Sequence, residues 1–256
     1  MPIPIPQNML TIPGVLGGWP LEVAEVVDRS PRIRRIGLTG DGLSGFHYDP
    51  GQDIMVLLES LGERALSRRY TIRDFDERRR LLHIEVVQHD ADGPGQRWIA
   101  QAKAGNVVSV VGPRGKITLN PDADWHLFLG DESFIPGTLN MMEALPAETA
   151  AVAFLQVAGA EDESGFSPKG GNKRLTWLHH GGGDDADPSR LIEALQPAEL
   201  PPGRGHAYVA GEVQFTAGLQ RALLDKGFTP QQMSPKAYWG RAKANGPHGE
   251  PERPRD

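Results

Sequence analysis

Short runs of apolar residues, separated by glycine, proline and aspartate, dominate the first half of the chain. Six of these runs are rich in β-branched residues or alternate apolar with polar positions, which is typical of strands: residues 21–27, 33–39, 54–58, 69–72, 81–87 and 107–111. No long helical pattern lies between them. Six short strands without long helices predict a small antiparallel barrel.

The apolar positions follow a different rhythm after residue 115. Strand-like and helix-like segments alternate there, with strands predicted at 127–130, 150–157, 175–179 and 207–210 and helices at 136–145, 188–195 and 216–226. This alternation is typical of an α/β domain with a parallel sheet. The turn signal Asn120-Pro121-Asp122 predicts the boundary between the two domains.

These patterns divide the chain into four segments. The first twenty residues contain five prolines and three glycines, which disfavour both a helix and a central strand, so residues 1–20 are predicted to be an extended arm. We expect the barrel domain at 21–119, the α/β domain at 120–245 and a flexible tail at 246–256.

Composition narrows the classes of function. Of the 256 residues, 39% are apolar and 23% charged, and no apolar run approaches the roughly 18 residues that a membrane-spanning helix requires. We therefore expect a globular protein without integral membrane association. Because the N-terminus also lacks a signal-like pattern, we expect it in the cytoplasm, as a monomer. The absence of cysteine excludes disulfides, cysteine-ligated iron–sulfur clusters and a thiol nucleophile. The net charge of −6 argues against general nucleic-acid binding.

Residues 68–73 form the most specific segment, Arg-Arg-Tyr-Thr-Ile-Arg. A flavin needs a flat surface and polar partners for its ring, and guanidinium groups suit its pyrophosphate. Tyr70 and Thr71 could serve the ring, and Arg68 or Arg73 the phosphates. A basic surface strand whose tyrosine packs on the core is the alternative interpretation.

The segment Arg68-x-Tyr70-Thr71-x-Arg73 resembles the flavin motif of the siderophore-interacting protein family, a branch of the ferredoxin-reductase superfamily. Other pieces of that family's sequence follow in order, and the resemblance covers residues 21–243: His89, Gly93-Pro94-Gly95, Trp98, Ala100, Gly105, Gly112-Pro113-Arg114-Gly115, Asp131-Glu132-Ser133, Pro136, Ala210-Gly211-Glu212, Tyr238-Trp239 and Arg241. The resemblance implies a six-stranded FAD-binding barrel at 21–119 and a Rossmann-like domain of the NAD(P)H-binding type at 120–245.

The resemblance also implies which residues hold FAD. The segment 93–100 reads as a loop that enters a short helix, whose free amides make an anion site, and in the family this region holds the flavin pyrophosphate. An ordinary join between a loop and a helix is the alternative. The implied FAD contacts are Arg68, Tyr70, Thr71, Arg73, His89, Gly95, Trp98, Ala100, Ser133 and Trp239.

The C-terminal segment 234–243 gathers three cations around two aromatic residues in an acidic protein. Ferric siderophores are often anionic and carry flat chelating groups, so cations and aromatic faces suit them. The predicted substrate contacts are Lys236, Arg241, Lys243 and, at the end of the barrel, Arg114. Ala237 and Gly240 flank the aromatic pair where the family pattern is closer to Gly-Tyr-Trp-Arg. A solvated basic tail is the alternative interpretation.

The turn after the first strand of the second domain is acidic. It reads Gly130-Asp131-Glu132-Ser133, whereas NAD(P)H-dependent members of the superfamily carry a glycine-rich loop there, and carboxylates repel a pyrophosphate. Asp131 and Glu132 could instead cap the following helix. The acidic stretch 158–163 disfavours NADPH relative to NADH. The electron donor therefore stays open among NADH, NADPH and reduced ferredoxin.

We expect an FAD-dependent ferric-siderophore reductase, an oxidoreductase that releases iron during iron acquisition by reducing Fe(III) to Fe(II). A ferredoxin is the one protein partner that we consider. The reaction requires no acidic or basic side chain to transfer a proton. The alternatives are a flavin reductase with another acceptor, a non-catalytic siderophore- or flavin-binding protein, and a module for protein–protein interaction. The neighbours His179 and His180 would point to opposite faces of a strand, so we predict no metal site.

Overall fold

The computed structural model describes residues 18–61, 64–89, 93–163, 172–182 and 187–241. The chain divides into two compact units, Met1–Thr118 and Leu119–Asp256. Within the described ranges, no helix is both long and apolar enough to cross a bilayer. The predicted tail at 246–256 and most of the predicted arm lie outside these ranges.

The first unit is a closed six-stranded barrel, as predicted. Its strands are β1 (Trp19–Asp28), β2 (Ile33–Thr39), β3 (Asp53–Leu61), β4 (Arg64–Asp76), β5 (Leu81–Val87) and β6 (Val107–Arg114), and helix α1 (Pro94–Gln101) lies between β5 and β6 in the chain. The strands close in the order β1-β2-β5-β4-β3-β6, and every neighbouring pair is antiparallel. Strand β1 starts inside the segment predicted to be an arm, because Trp19 and Pro20 pair with β6.

Alternate residues of the barrel strands fill its interior. The side chains without any solvent exposure include Ile36, Leu38, Ile54, Val56, Ile72, Leu82, Ile84 and Val110. Fully burying each such side chain contributes about 1.5–3 kcal/mol. The interior therefore fixes the register of β4, in which Thr71 lies opposite Asp53 on β3 and Ile72 lies opposite Ile84 on β5.

A β-bulge interrupts β4 within the predicted flavin motif. Ile72 pairs with Ile84, but the next pair joins Asp74 to His83, so Arg73 is the extra residue between them. A bulge changes the direction of a side chain relative to the regular alternation of a strand. The regular alternation of side chains along β4 is therefore interrupted after Ile72.

The second unit is an α/β domain with a parallel sheet, as predicted. Its strands are β7 (Trp125–Gly130), β8 (Ala150–Val157), β9 (Lys173–His179), β10 (Gly205–Glu212) and β11 (Met233–Trp239), in the order β11-β10-β7-β8-β9. Its helices are α2 (Ile135–Ala144), α3 (Ser189–Leu195) and α4 (Val213–Asp225). All residues of the central strands β7 and β10 are buried. Because these strands are parallel neighbours, their carboxyl ends lie side by side, with Gly130 opposite Ala210.

Strand β11 was not among the predicted strands. Its sequence, Met-Ser-Pro-Lys-Ala-Tyr-Trp, contains a proline and a lysine and does not show a regular apolar alternation. The strand nevertheless pairs with β10 along most of its length and forms one edge of the sheet. An edge strand tolerates proline because the outward amide needs no partner in the ladder.

Candidate functional site

Tyr70 of β4 and Trp98 of α1 form an aromatic pair on the barrel unit. Their ring centroids are 5.5 Å apart with an angle of 30° between the ring planes, and both rings pack against the barrel core. Burial raises the pKa of the Tyr70 phenol, although the charge of Arg68 acts in the opposite direction. The phenol is therefore neutral at physiological pH and can still donate a hydrogen bond.

The start of helix α1 meets the same part of β4. A Cβ atom added to Gly95 would lie 3.3 Å from Cγ of Arg68 and 3.4 Å from the hydroxyl of Tyr70. Gly93 precedes the helix without a capping side chain, and Pro94 occupies its first turn. The first-turn amides have no carbonyl partner within a helix, which favours an anion at this position.

The three arginines of the motif have different electrostatic environments. Arg69 forms a two-pronged ion pair with the buried Asp53, with distances of 2.8 Å from Nε to Oδ1 and 2.7 Å from Nη2 to Oδ2. Arg68 donates to the carbonyl oxygen of Ser67 at 2.8 Å, and no carboxylate in the described ranges forms an ion pair with it. Arg68 is therefore the motif arginine whose charge is left for an anionic ligand beside α1.

Arg73 is buried between carboxylates instead. Its side chain lies 3.8 Å from Glu85 and 4.0 Å from Asp74, and Glu85 also accepts from Arg35 at 2.6 Å. Two carboxylates thus compensate two guanidinium groups on this side of the barrel. The prediction that Arg73 contacts FAD stays a prediction, and its local charge is already balanced.

A histidine extends this charged cluster across the barrel. Nδ1 of His83 lies 2.5 Å from Asp74, and its Nε2 lies 3.0 Å from Glu25. The hydrogen bond with Asp74 raises the pKa of His83. Burial alone would raise the pKa of Asp74, but His83 and the nearby arginines lower it. The cluster was not predicted, because its members come from four separate strands.

The other predicted FAD contacts of the barrel unit lie around this region. Thr71 is buried and Ala100 is exposed on α1, two residues beyond Trp98. His89 is exposed, and its backbone amide donates to the side chain of Gln96 at 3.3 Å. The structure thus brings Arg68, Tyr70, Gly95 and Trp98 together, and their roles toward FAD stay predictions.

These four residues and the α1 amides fit the chemical needs of FAD. The aromatic pair offers a flat apolar surface, and the cation of Arg68 with the helix start suits a pyrophosphate. Glycine at position 95 lets the helix start approach Arg68 and Tyr70 closely, where any larger side chain would fill the space.

In the α/β unit, Asp131 is the centre of a buried hydrogen-bond network. Its carboxylate accepts from the amide and the hydroxyl of Ser133 at 2.9 and 2.5 Å, from the amide of Glu212 at 2.8 Å and from the indole N–H of Trp239 at 2.9 Å. Burial raises the pKa of Asp131, and these hydrogen bonds oppose the shift. Asp131 therefore fixes Ser133 and Trp239, the two predicted FAD contacts of this unit.

The expectation about helix capping needs a correction. Asp131 caps the 3-10 turn Glu132–Phe134 rather than helix α2, which starts at Ile135 without a capping side chain. The reason is that the acidic turn forms its own short helical element before α2. Glu132 instead accepts from the amide of Ala158 at 3.0 Å, beyond the end of β8.

Glu212 caps helix α4 in a similar way. Its carboxylate accepts from the amides of Gln214 and Phe215, the latter at 3.1 Å. Only 3% of Glu212 is exposed, compared with 4% of Asp131 and 6% of Glu132. Three buried carboxylates therefore lie at the carboxyl ends of the sheet. The Asp-Glu pair was visible in the sequence, whereas Glu212 lies 81 residues from Asp131 and had no capping signal.

The predicted substrate contacts are spread over both units. Lys236 is buried on β11, with its ammonium 5.4 Å from the centre of the Tyr238 ring, and Arg241 is exposed. Arg114 is exposed at the end of β6 in the barrel unit. Lys243 lies outside the described residues. The structure thus does not present 234–241 as a solvated tail, since most of it is a strand.

His179 and His180 have separate partners. Nε2 of His179 lies 2.8 Å from Glu163, whereas His180 is buried 3.8 Å from Glu132. In the part of the chain that the structure describes, no group of three histidine or acidic side chains has the arrangement of a metal site.

Two family models match the chain, one in each unit. A model described as siderophore-interacting FAD-binding domain matches residues 59–117, and a model described as siderophore-interacting protein matches residues 123–242. The first match contains the Arg68–Arg73 segment and helix α1. The second contains the acidic turn and β11.

Two relatives are named as reductases. The ferric vibriobactin reductase ViuB of Vibrio cholerae is 27% identical over 239 residues, which are 84% of this chain and 86% of ViuB. The NADPH-dependent ferric-chelate reductase of Escherichia coli is 27% identical over 249 residues, which are 86% of this chain and 91% of that protein.

Solved structures share the fold along nearly the whole chain. A siderophore utilization protein from T. fusca has a TM-score of 0.79 and 31% identity, covering 91% of this chain and 96% of its own. A ferredoxin NADP+ reductase from Neisseria gonorrhoeae has a TM-score of 0.69 at 15% identity, covering 87% and 99%, and thus shares the fold. The chain therefore belongs to the siderophore-interacting protein family, with an FAD-binding barrel followed by an α/β domain, a fold that the ferredoxin NADP+ reductase shares.

Proposed function

We propose that this protein is an FAD-dependent ferric-siderophore reductase, which reduces chelated Fe(III) to Fe(II) and so weakens the hold of the chelator on the metal. The observation that carries the proposal is the convergence of Arg68, Tyr70, Gly95 and Trp98 at the start of helix α1. The activities named for ViuB and for the Escherichia coli relative support it.

The barrel residues are proposed to bind and orient FAD. Arg68 and the first-turn amides of α1 would neutralise the pyrophosphate, since a guanidinium and free amides both donate to phosphate oxygens. Tyr70, which stays neutral and whose burial raises its pKa further, would pack against the ring system, and Thr71 would offer a hydroxyl. The chemistry that FAD supplies when bound is electron transfer, taking two electrons from a donor and giving them up singly.

In the α/β unit, Ser133 and Trp239 are proposed as flavin contacts. Both donate hydrogen bonds to Asp131, so their orientations are fixed before any ligand binds. Such preorganisation lowers the entropy that ordering side chains costs on binding.

The substrate is proposed to bind through cations. Lys236, Arg241, Lys243 and Arg114 would attract an anionic ferric chelate to a protein whose net charge is −6. The ammonium of Lys236 is already held over the Tyr238 ring, which limits its motion.

The reaction needs no proton transfer by a side chain to the iron. The reduction of two Fe(III) to two Fe(II) requires two electrons. One reduced nicotinamide nucleotide supplies both, and two reduced one-electron ferredoxins supply one each. The protein would provide binding, orientation and charge, while the redox chemistry belongs to the cofactor.

Reconstitution with FAD tests the proposal. We expect the purified chain to bind about one FAD per molecule and, after anaerobic reduction by dithionite and removal of excess, to produce trapped Fe(II) from a ferric siderophore. Failure to bind FAD would overturn it. Binding of the siderophore without iron reduction would identify a non-catalytic binding protein. Oxidation of reduced FAD at a rate that does not depend on the siderophore would identify a reductase for another acceptor.

A further inference from the structure

The carboxyl edge of the parallel sheet is where α/β domains of this type bind nucleotides. A dinucleotide pyrophosphate is held there by free backbone amides, at the turns where strands pass into helices. In this chain, the relevant turns follow β7, β8 and β10. Whether their amides are available decides whether a pyrophosphate can be held.

Two backbone amides of the turn after β7 already have acceptors within the chain. The amide of Ser133 donates to the carboxylate of Asp131 at 2.9 Å, and that of Phe134 donates to the carbonyl oxygen of Asp131 at 3.0 Å. The side chain of Phe134 closes over the strand end, since a Cβ on Gly130 would lie 2.6 Å from Cβ of Phe134. The next helix starts with Ile135 and Pro136, both buried, and proline has no amide hydrogen.

In the turns after β8 and β10, the chain's own carboxylates likewise accept from backbone amides. Glu132 accepts from the amide of Ala158 at 3.0 Å. Glu212 accepts from the amides of Gln214 and Phe215, and its own amide donates to Asp131. Each of these groups therefore has an intramolecular partner where a phosphate oxygen would need one.

Charge acts in the same direction as the hydrogen bonds. Asp131, Glu132 and Glu212 are all less than a tenth exposed. A pyrophosphate at this edge would face carboxylates in a region of low dielectric, where repulsion between like charges is strong. The residues present do not fit a dinucleotide pyrophosphate.

We propose that the α/β unit does not anchor a nicotinamide dinucleotide through its pyrophosphate, so a nicotinamide donor is used through its dihydronicotinamide ring alone. The inference rests on the proposed function, because it concerns how the donor of that reaction is engaged. It predicts that the adenosine half of NADH or NADPH contributes nothing to donor use.

Binding measurements on the FAD-loaded protein test the inference without turnover. With FAD present, the barrel cannot take up the probe, so any binding of ADP-ribose or NADP+ must occur elsewhere. We expect no change in melting temperature and no calorimetric signal at about 1 mM of either probe. Saturable binding of either probe, with a Kd below about 100 µM, would overturn the inference.

Truncation of the donor provides a second test. FAD reduction should be followed anaerobically with equal concentrations of NADH, NADPH and reduced nicotinamide mononucleotide, which lacks the adenosine half. We expect rates within about threefold of each other that rise linearly with concentration, since each tenfold preference would need about 1.4 kcal/mol of binding. A saturating, tenfold faster reaction with NADH or NADPH would contradict the inference.

The two failures can be separated. If dithionite-reduced protein does not reduce the ferric siderophore, the proposed function fails regardless of any nucleotide. If it does reduce the siderophore but binds ADP-ribose tightly, the proposed function stands and this inference fails.

Discussion

Among the individual residues, Arg68 carries the most specific expectation. It is the motif arginine without a carboxylate partner in the described ranges, whereas Arg69 is paired with Asp53. We expect Arg68→Ala to weaken FAD binding about 10- to 100-fold, because a charge-assisted hydrogen bond contributes about 1.5–3 kcal/mol. The measurement is a fluorescence titration of FAD into the apoprotein.

The matched control is Arg69→Ala. This change leaves the buried carboxylate of Asp53 without its partner, so it should lower the melting temperature while changing FAD affinity less than about threefold. An equal loss of FAD affinity in both variants would show that the charge of the strand, rather than the position of Arg68, determines binding.

Asp131 should be the most sensitive residue of the α/β unit. In Asp131→Asn, the new NH2 group replaces one carboxylate oxygen and must face hydrogen-bond donors. These are either the N–H groups of Glu212 and Trp239 or the amide and hydroxyl of Ser133. We expect a loss of about 2–4 kcal/mol in stability. Melting temperatures of Asp131→Asn, Trp239→Phe and the double variant measure the coupling.

The coupling between Asp131 and Trp239 has a clear sign. Since Trp239→Phe already removes one of the donors, the double variant should be less destabilised than the sum of the single variants by about 1 kcal/mol. Strict additivity would mean that the hydrogen bond between the indole and the carboxylate contributes nothing.

Among the secondary-structure elements, the contact between helix α1 and strand β4 is the decisive one. We expect Gly95→Ala to weaken FAD binding at least about fivefold, because the new Cβ would lie 3.3–3.4 Å from Arg68 and Tyr70 and push them from the helix start. Gly93→Ala is the matched control, since a Cβ there meets no atom within 4 Å. Equal affinities of the two variants for FAD would contradict the proposed position of the cofactor.

The starts of β7 and β10 predict a dependence of stability on pH. Burial, with a contribution from His206, lowers the pKa of His126 to about 4, and burial also lowers the pKa of His206. The unfolded chain therefore binds more protons than the folded chain between about pH 4 and 6.5, so stability falls as the pH drops through this range.

The variant His126→Phe isolates this effect. The ring would keep the stacking on Phe128 and remove the titrating group. We expect the loss of stability between pH 6.5 and 4 to be smaller by about 2–3 kcal/mol in the variant than in the unchanged chain. Identical pH profiles in thermal unfolding would show that His126 does not contribute.

The sequence predicted elements best where apolar runs end at turn residues. Strands β2, β5 and β8 begin and end at the predicted residues, because they are rich in β-branched and apolar residues and have turn-forming or polar residues close to their ends. Strand β4 is longer than predicted since its polar outer residues pair with two neighbours through a bulge. Strand β11 depends on an existing edge of β10, which no local pattern reveals.

The candidate site was predictable only in part, for a similar reason. The flavin motif is contiguous, so its chemistry can be recognised along the chain. Its contact with Gly95 joins residues about 25 positions apart, and the network of Asp131 reaches Glu212 and Trp239, 81 and 108 positions away. Contacts at such separations are set by strand order, which the local sequence does not specify.

At the scale of the whole molecule, the two units offer different chemistry. The barrel unit presents a helix start and an arginine that has no carboxylate partner among the described residues, and both suit a bound dinucleotide. The sheet edge of the α/β unit instead carries three buried carboxylates that accept from its own amides. We therefore propose that the barrel binds FAD and that the sheet edge binds no phosphate. In this proposal, electrons pass from barrel-bound FAD to a ferric siderophore.

This electron transfer can be measured by counting electrons in a single turnover. FAD-loaded protein is reduced anaerobically, freed of excess reductant and mixed with a ferric siderophore and an Fe(II) trap, with Arg68→Ala treated identically as the control. We expect about two trapped Fe(II) per FAD, in step with the return of the oxidised flavin spectrum. The variant, which retains less FAD, should give proportionally less Fe(II) per protein molecule. Flavin that stays reduced in the presence of the ferric siderophore would contradict the proposal.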